Sequence, residues 1–212
     1  MYTNIRIASR RRRNKPMSKQ TCCPIVELRQ YTLHPGKRDV LIDLLSQQKT
    51  GKEKKMERNP QTDFDFLMGS WKIHNRRLKE RLKGSDSWEE FDGTVVARHI
   101  WGGRANMDEY EADSPSGHIQ GVTLRLYNPK SQQWSLYWAN SANGILEKPM
   151  IGGFQDGRGE FYDQEMFEGQ SIYVRFVWSD ITKTSCRWEQ AFSSDGGKSW
   201  ETNWIVEFTR TK

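Results

Sequence analysis

From Trp71 onward, apolar and polar residues alternate with a period of two, the spacing that sends successive side chains to opposite faces of a strand. Leu124 and Leu126 alternate with Arg125 and Tyr127, while Trp134, Leu136 and Trp138 alternate with Ser135 and Tyr137. Ile172, Val174, Phe176 and Trp178 oppose Ser171 and Arg175. Trp188 and Phe192 oppose Arg187 and Glu189, and Trp204, Val206 and Phe208 oppose Asn203 and Glu207. Turn signals separate the runs, among them Gly84-Ser85-Asp86, Pro115-Ser116-Gly117, Asp156-Gly157 and Asp195-Gly196-Gly197. The pattern predicts ten strands, at about 71–82, 88–100, 105–112, 119–127, 133–140, 149–155, 158–166, 171–179, 184–193 and 199–210. A meander of that length must deal with its edges, and closure removes them. The expected fold is all-β: an up-and-down barrel of about ten antiparallel strands over residues 63–212, with the apolar set inside.

The first 62 residues read differently. Residues 24–48 predict a short strand (Val26 to Leu33), a His34-Pro35-Gly36 turn and a helix from Asp39 with Val40, Leu41, Leu44 and Leu45 on one side. One strand and one helix cannot bury a core of their own. Residues 49–62 are a charged linker, and residues 1–20, with Arg10 to Arg13, Lys15, Lys19 and no acid, are expected to be a disordered basic tail. That tail reads as a start upstream of a second initiator at Met17, as a polyanion-binding arm or as an Arg-rich presequence.

Charge follows the same division. Residues 1–62 carry 15 Lys+Arg against 5 Asp+Glu, or +10, which leaves 18 against 22, or −4, for the remainder. The pI of about 9.2 therefore describes the tail, and a basic tail on an acidic body makes nucleic acid an unlikely partner. No apolar run approaches the roughly 18 residues of a membrane span, so no membrane partner is expected and a cytoplasmic location is. Cys22, Cys23 and Cys186 show no zinc-site spacing, and His34, His74, His99 and His118 show no metal-ligand pattern, so no metal and no cofactor are expected. A haem barrel would need His99 or His118 as axial ligand.

Two stretches resemble known families. The opening Phe64-Asp65-Phe66-Leu67-Met68-Gly69-Ser70-Trp71 resembles the plug and G-x-W signature of calycin barrels, the lipocalins and their relatives. Together with GVTLRLYNPKSQQWSLYWAN and SCRWEQAFSSDGGKSWETNWIVEFTR, it makes residues 63–210 similar to an uncharacterised lipocalin-like family of small bacterial proteins. That resemblance implies a barrel with a ligand pocket and brings no substrate and no catalytic residues. Separately, ELRQYTLHPGKRDVLIDLL resembles the opening of NIPSNAP-family domains, α+β units that pair through their sheets, over about 25 residues. It implies a truncated remnant or a segment docked on the barrel, and it leaves a homodimer open.

The inward phase nominates a site. Trp138, Trp178, Trp188 and Trp204 are expected as the walls of a pocket for a small apolar or aromatic molecule, with Asn140 and Gln190 orienting it and Thr202 in the same phase. An enzyme of the same fold, an isomerase, cyclase or hydrolase, would need a carboxylate inside, since burial raises its pKa toward acid/base use. Glu109 points inward if Met107 does; in the reverse phase Asn106, Asp108 and Tyr110 line the cavity, and the sequence slightly favours Glu109. A third class is an interaction module whose N-terminal strand augments a partner's sheet. Ser193-x-Asp195-x-Gly197-x-x-Trp200 resembles an Asp box and is read as a structural hairpin turn, and Cys186, in phase with Trp188, as a buried inert thiol.

Overall fold

The computed structural model describes residues 3–8, 28–33 and 59–211. The chain divides into two units, Met1–Arg58 and Asn59–Lys212. In the first, β1 (Thr3–Ala8) and β2 (Leu28–Leu33) pair antiparallel, from Thr3 against Leu33 to Ala8 against Leu28. The sequence pattern supplied β2 and missed β1, which falls within the expected tail. The helix expected from Asp39 and the linker up to Arg58 lie outside the described residues.

In the second unit, ten strands close into an antiparallel up-and-down barrel. They are β3 (Gly69–Leu78), β4 (Trp88–Ile100), β5 (Ala105–Ser114), β6 (Gly117–Asn128), β7 (Gln133–Asn140), β9 (Met150–Gln155), β10 (Arg158–Phe167), β11 (Gln170–Ser179), β12 (Ser185–Ser193) and β13 (Glu201–Arg210), with a short extra strand β8 (Ile145–Leu146). Each of the ten pairs with its neighbour in sequence, and β13 returns to β3 from Trp204 opposite Arg77 to Arg210 opposite Trp71. No helix among the described residues is long and apolar enough to cross a membrane.

Closure is looser at one place. The first half of β7 (Trp134 to Leu136) pairs with β9, whereas its end (Ala139 and Asn140) pairs with β8. β10 meets β9 only over Arg158 to Tyr162, so Asp163 to Phe167 are laddered to β11 alone. The wall parts there, and Glu147, Lys148 and Glu165 flank the gap.

The opposite end is stoppered by two 3-10 turns, Pro60–Thr62 and Asp65–Leu67. Phe64 and Leu67 of this plug are almost fully buried, and Phe64 packs on Trp134, Phe154, Phe161 and Trp178 with ring centres 5.0 to 6.0 Å apart. Side chains cap backbone carbonyls of these short turns: Trp71 Nε1 donates to Leu67 O at 2.6 Å and Trp134 Nε1 to Pro60 O at 2.9 Å. Arg210 donates to Met68 O and Phe66 O, both at 2.5 Å, and its guanidinium lies 4.1 Å from the Trp71 ring centre. The last strand thereby fastens the plug to the first.

Most of the apolar faces point inward as their alternation requires, but β5 and β6 correct the expectation. Asn106, Asp108 and Tyr110 are buried and Glu109 is exposed, paired loosely with Arg98 at 3.9 Å. On β6, Arg125 is buried and Leu124 and Leu126 lie outside. Residues directly opposite share a face, so Asp108 against Thr123 and Asn106 against Arg125 carry one inward phase across both strands. At the β12–β13 pair the register shifts after Gln190, which leaves Asn203 unpaired at a bulge and buried, against its expected outward phase.

The Ser193-Asp195-Gly197-Trp200 segment is a self-bonded turn. Asp195 Oδ1 accepts from the Lys198 and Ser199 backbone N–H groups at 3.0 Å, Ser199 Oγ donates to Oδ2 at 2.7 Å, and Trp200 Nε1 donates to Gly197 O at 3.1 Å. Hydrogen bonds from the Ser199 backbone and side chain, then Ser193, hold the Asp195 carboxyl well below the usual carboxylate range. A lowered folded-state pKa gives stability that is present above the unfolded value, about pH 4, and lost as pH falls below it. Asp195→Asn should therefore flatten the acid side of the stability curve below about pH 4. Denaturant melts of both proteins from pH 2 to 7 check this; parallel curves would refute it.

Candidate functional site

The barrel encloses a cavity of about 330 Å³ between the plug and the parted wall. At about 30 Å³ per liquid water this is room for roughly ten waters, far beyond a packing defect. It falls at the lower end of small-molecule pockets, about 300–1,000 Å³.

Aromatic side chains make its walls. Trp188 lies edge-on to Phe176 and to Trp204, at 4.8 and 5.7 Å between ring centres, and Tyr110 is edge-on to Trp138 and Trp204 at 5.9 and 6.3 Å. These are favourable T-shaped contacts that fix ring orientation. Trp138 pairs with Thr123 on β6 and its indole lies over Gly121, two residues along; a Cβ there would collide with the ring. Two buried amides fix polar atoms of the lining: Asn75 Oδ1 accepts from Tyr110 Oη at 2.8 Å and from Trp204 Nε1 at 3.1 Å, and Asn203 Oδ1 accepts from Gln190 Nε2 at 2.8 Å. Burial pushes the Tyr110 hydroxyl well above its ordinary value, so it stays protonated and donating.

The floor is ionic. Arg125 Nη1 meets Asp108 Oδ2 at 2.5 Å and donates to Asn106 Oδ1 at 3.2 Å, with both side chains at or below 5% exposure. The guanidinium carbon sits 5.1 Å from the Phe64 ring centre and 5.8 Å from that of Trp178. At the parted wall, burial raises the Glu147 and Glu165 carboxyls, and Asp163 and then Glu147 add to the effect at Glu165. Arg81 reaches the same cavity from the β3–β4 loop, its guanidinium pKa lowered by burial and then by Arg77.

Five of the nominated residues line this cavity: Trp138, Trp178, Trp188, Trp204 and Gln190. Asn140 does not; its Oδ1 accepts from Ala142 N at 2.8 Å and shapes the turn after β7. Thr202 also stays outside, displaced by the bulge at Asn203. Asp108 is inside but committed to Arg125, and Glu109 faces away. His99 and His118 are near half exposed, paired with Asp65 at 3.6 Å and Asp113 at 2.7 Å, and neither lines the cavity. Among the described residues, no group of three His, Cys, Asp or Glu could hold a metal ion. Cys186 is buried and its thiol pushed up to about 12 by desolvation, which suppresses the thiolate.

Sequence reasoning missed Asn75 and Arg125. Asn75 shares parity with Trp71 and Ile73, a signal present on β3. For Arg125 the local signal pointed the wrong way, because its neighbours Leu124 and Leu126 are the apolar pair.

No family profile and no curated protein matches this chain, over either the barrel or residues 24–48. Solved structures do. The S-type phycobiliprotein lyase CPES from Guillardia theta is 12% identical, over 74% of this chain and 94% of that one, with a TM-score of 0.50. Rv2717c from M. tuberculosis is 12% identical over 74% of this chain and all of that one, with a TM-score of 0.49. A redesigned β-barrel, mFAP0, bound to DFHBI, is 11% identical over 68% and 99%, with a TM-score of 0.39. The likeness is one of fold. Of these three, only the lyase reaches a TM-score of 0.50, and at 12% identity that likeness leaves the guest to be argued from the cavity itself.

Proposed function

We propose that this protein binds one small, largely apolar or aromatic molecule inside its barrel, in the manner of a lipocalin-like carrier. The cavity of about 330 Å³ walled by Trp138, Trp178, Trp188 and Trp204 supports this reading most directly. Indoles offer large, rigid apolar faces at little entropic cost, and their N–H groups give direction to an otherwise greasy contact. The parted wall beside β8 would be the way in. A phycobiliprotein lyase shares the fold, although the fold does not choose the ligand.

Catalysis by Glu109 loses its footing, since that side chain faces solvent. Asp108 as acid/base would have to leave Arg125 unpaired in an aromatic cavity, a costly step. The strand offered for augmenting a partner's sheet has one edge covered by Thr3–Ala8.

Titration with the uncharged fluorophore N-phenyl-1-naphthylamine tests the proposal. Saturable binding of one equivalent with quenching of tryptophan emission is expected. Trp188→Ala should weaken it by about tenfold, the order of one lost aromatic wall. Absence of saturable binding, or equal affinity in the variant, would remove the pocket reading. Native mass spectrometry of protein from its own cells would then identify the retained molecule.

A further inference from the structure

One cation of the cavity has no anion. Among the described residues Arg81 makes no hydrogen bond and no ion pair, yet it lines the cavity partly buried, its guanidinium carbon 5.8 Å from the ring centre of Phe192. Its nitrogens are not sealed in: they keep accessible surface, unlike Arg125 Nε and Trp178 Nε1. Burial and then Arg77 disfavour the charge, but a guanidinium does not give up its proton near neutral pH. Buried charges are ordinarily paired. The neighbouring carboxylates are engaged elsewhere, since Glu89 Oε1 holds Arg77 at 2.5 Å and Glu201 Oε1 accepts from Leu82 N at 2.7 Å. That Leu82 bond, with Lys83 at 3.3 Å from Glu168, straps the β3–β4 loop over the open end of the barrel and holds Arg81 there. An unpaired guanidinium thus stands at the rim of an aromatic chamber.

The other charges of the lining are answered in place. Asp108 and Arg125 cancel at the floor. Glu147 and Glu165 lie at the parted wall, where Lys148 opposes the charge of Glu165, and β13, β12 and β11 intervene between β3 and β10 around the barrel. One guanidinium balances one negative charge, which suits a carboxylate better than a phosphate monoester carrying nearly two. At the rim such a head keeps part of its water, so it avoids most of the desolvation that a carboxylate at the floor would suffer. Resting on the pocket reading above, we infer that the ligand is an aromatic monocarboxylate, its ring system between the indoles and its carboxylate paired with the Arg81 guanidinium at the mouth.

Three compounds with one ring system and different heads separate the possibilities: 1-naphthaleneacetate, 1-naphthaleneacetamide and 2-(1-naphthyl)ethylamine, titrated against the full chain by tryptophan quenching and calorimetry. The carboxylate should bind at least about tenfold more tightly than the neutral amide, the return on hydrogen bonds between charged partners, and more tightly than the amine. In Arg81→Gln, which keeps most of the side chain and removes the charge, the preference for carboxylate over amide should fall below about threefold. Equal binding of carboxylate and amide by the unaltered protein would overturn the inference and leave the pocket standing. So would tightest binding of the amine, which would assign the mouth to Glu147 and Glu165 instead, or an undiminished carboxylate preference in Arg81→Gln. If none of the three binds while N-phenyl-1-naphthylamine does, the inference falls alone; if that fluorophore fails as well, both readings fall. The comparison within the unaltered protein decides the matter even if the variant does not fold.

Discussion

Asp108→Ala should destabilise the barrel by about 3–5 kcal/mol, because it strands a guanidinium in the interior with no countercharge. Arg125 is only 3% exposed, its Nη1 holds Asp108 at 2.5 Å, and the remaining partner is the neutral Asn106 at 3.2 Å. Phe64 and Trp178 attract the cation through their faces but do not replace a carboxylate. For a domain of this size the loss corresponds to a fall in Tm of roughly 6–20 °C, a large part of the about 5–15 kcal/mol that holds a domain together. Urea unfolding monitored by circular dichroism measures it. The double variant Asp108→Asn, Arg125→Met removes both charges and should recover most of the loss, since replacing a buried pair by apolar bulk is often neutral. A single variant as stable as the parent would mean that the guanidinium reaches water in solution, and the ionic floor would have to be abandoned.

Phe64→Ala should cost a similar amount, about 3–5 kcal/mol, for a different reason. The ring is 1% exposed and sits at the centre of the stopper, within 6.1 Å of five other aromatic ring centres. Its removal takes away transfer energy and leaves a void that rigid strands on all sides cannot collapse into. It also removes the face on which the Arg125 guanidinium rests. Denaturant melts check the stability loss, and a loss below about 1 kcal/mol would show that the plug contributes little to closure. The same variant should also weaken N-phenyl-1-naphthylamine binding, because the cavity floor loses its support.

These effects sit on residues whose roles differ greatly in how readable they were. Phe64 was legible as part of a plug from its place before Gly69-Ser70-Trp71. The indole walls were legible from parity: Trp188 alternates with Arg187 and Glu189, and Trp178 and Trp204 share phase with Val174 and Phe176 and with Val206 and Phe208, and all three reach the cavity. Arg125 and Asp108 were not. A period-two pattern assigns the apolar member to the inside, and on β6 that rule chose Leu124 over Arg125. It fails because the outer face of a barrel can also carry apolar residues, whereas a buried ion needs only its counterion and a few ring faces to be tolerated. Asp108 and Arg125 lie 17 positions apart in sequence, and nothing local announces that they meet.

Asn140 and Asn203 show the complementary error. Both have the parity arithmetic of their strands, yet a turn takes the first and a bulge turns the second inward. Parity survives only while the ladder is regular, and one extra residue inverts it.

By itself, then, the sequence determined the class of fold, the approximate limits of the ten barrel strands and the tryptophan-lined interior, because each follows from local periodicity and turn chemistry. The tertiary structure decided which strands share a phase, where the wall parts beside β8, and which charges face the hollow. Those depend on register between segments distant in the chain, and register is set by the pairing of whole strands and by closure of β13 onto β3.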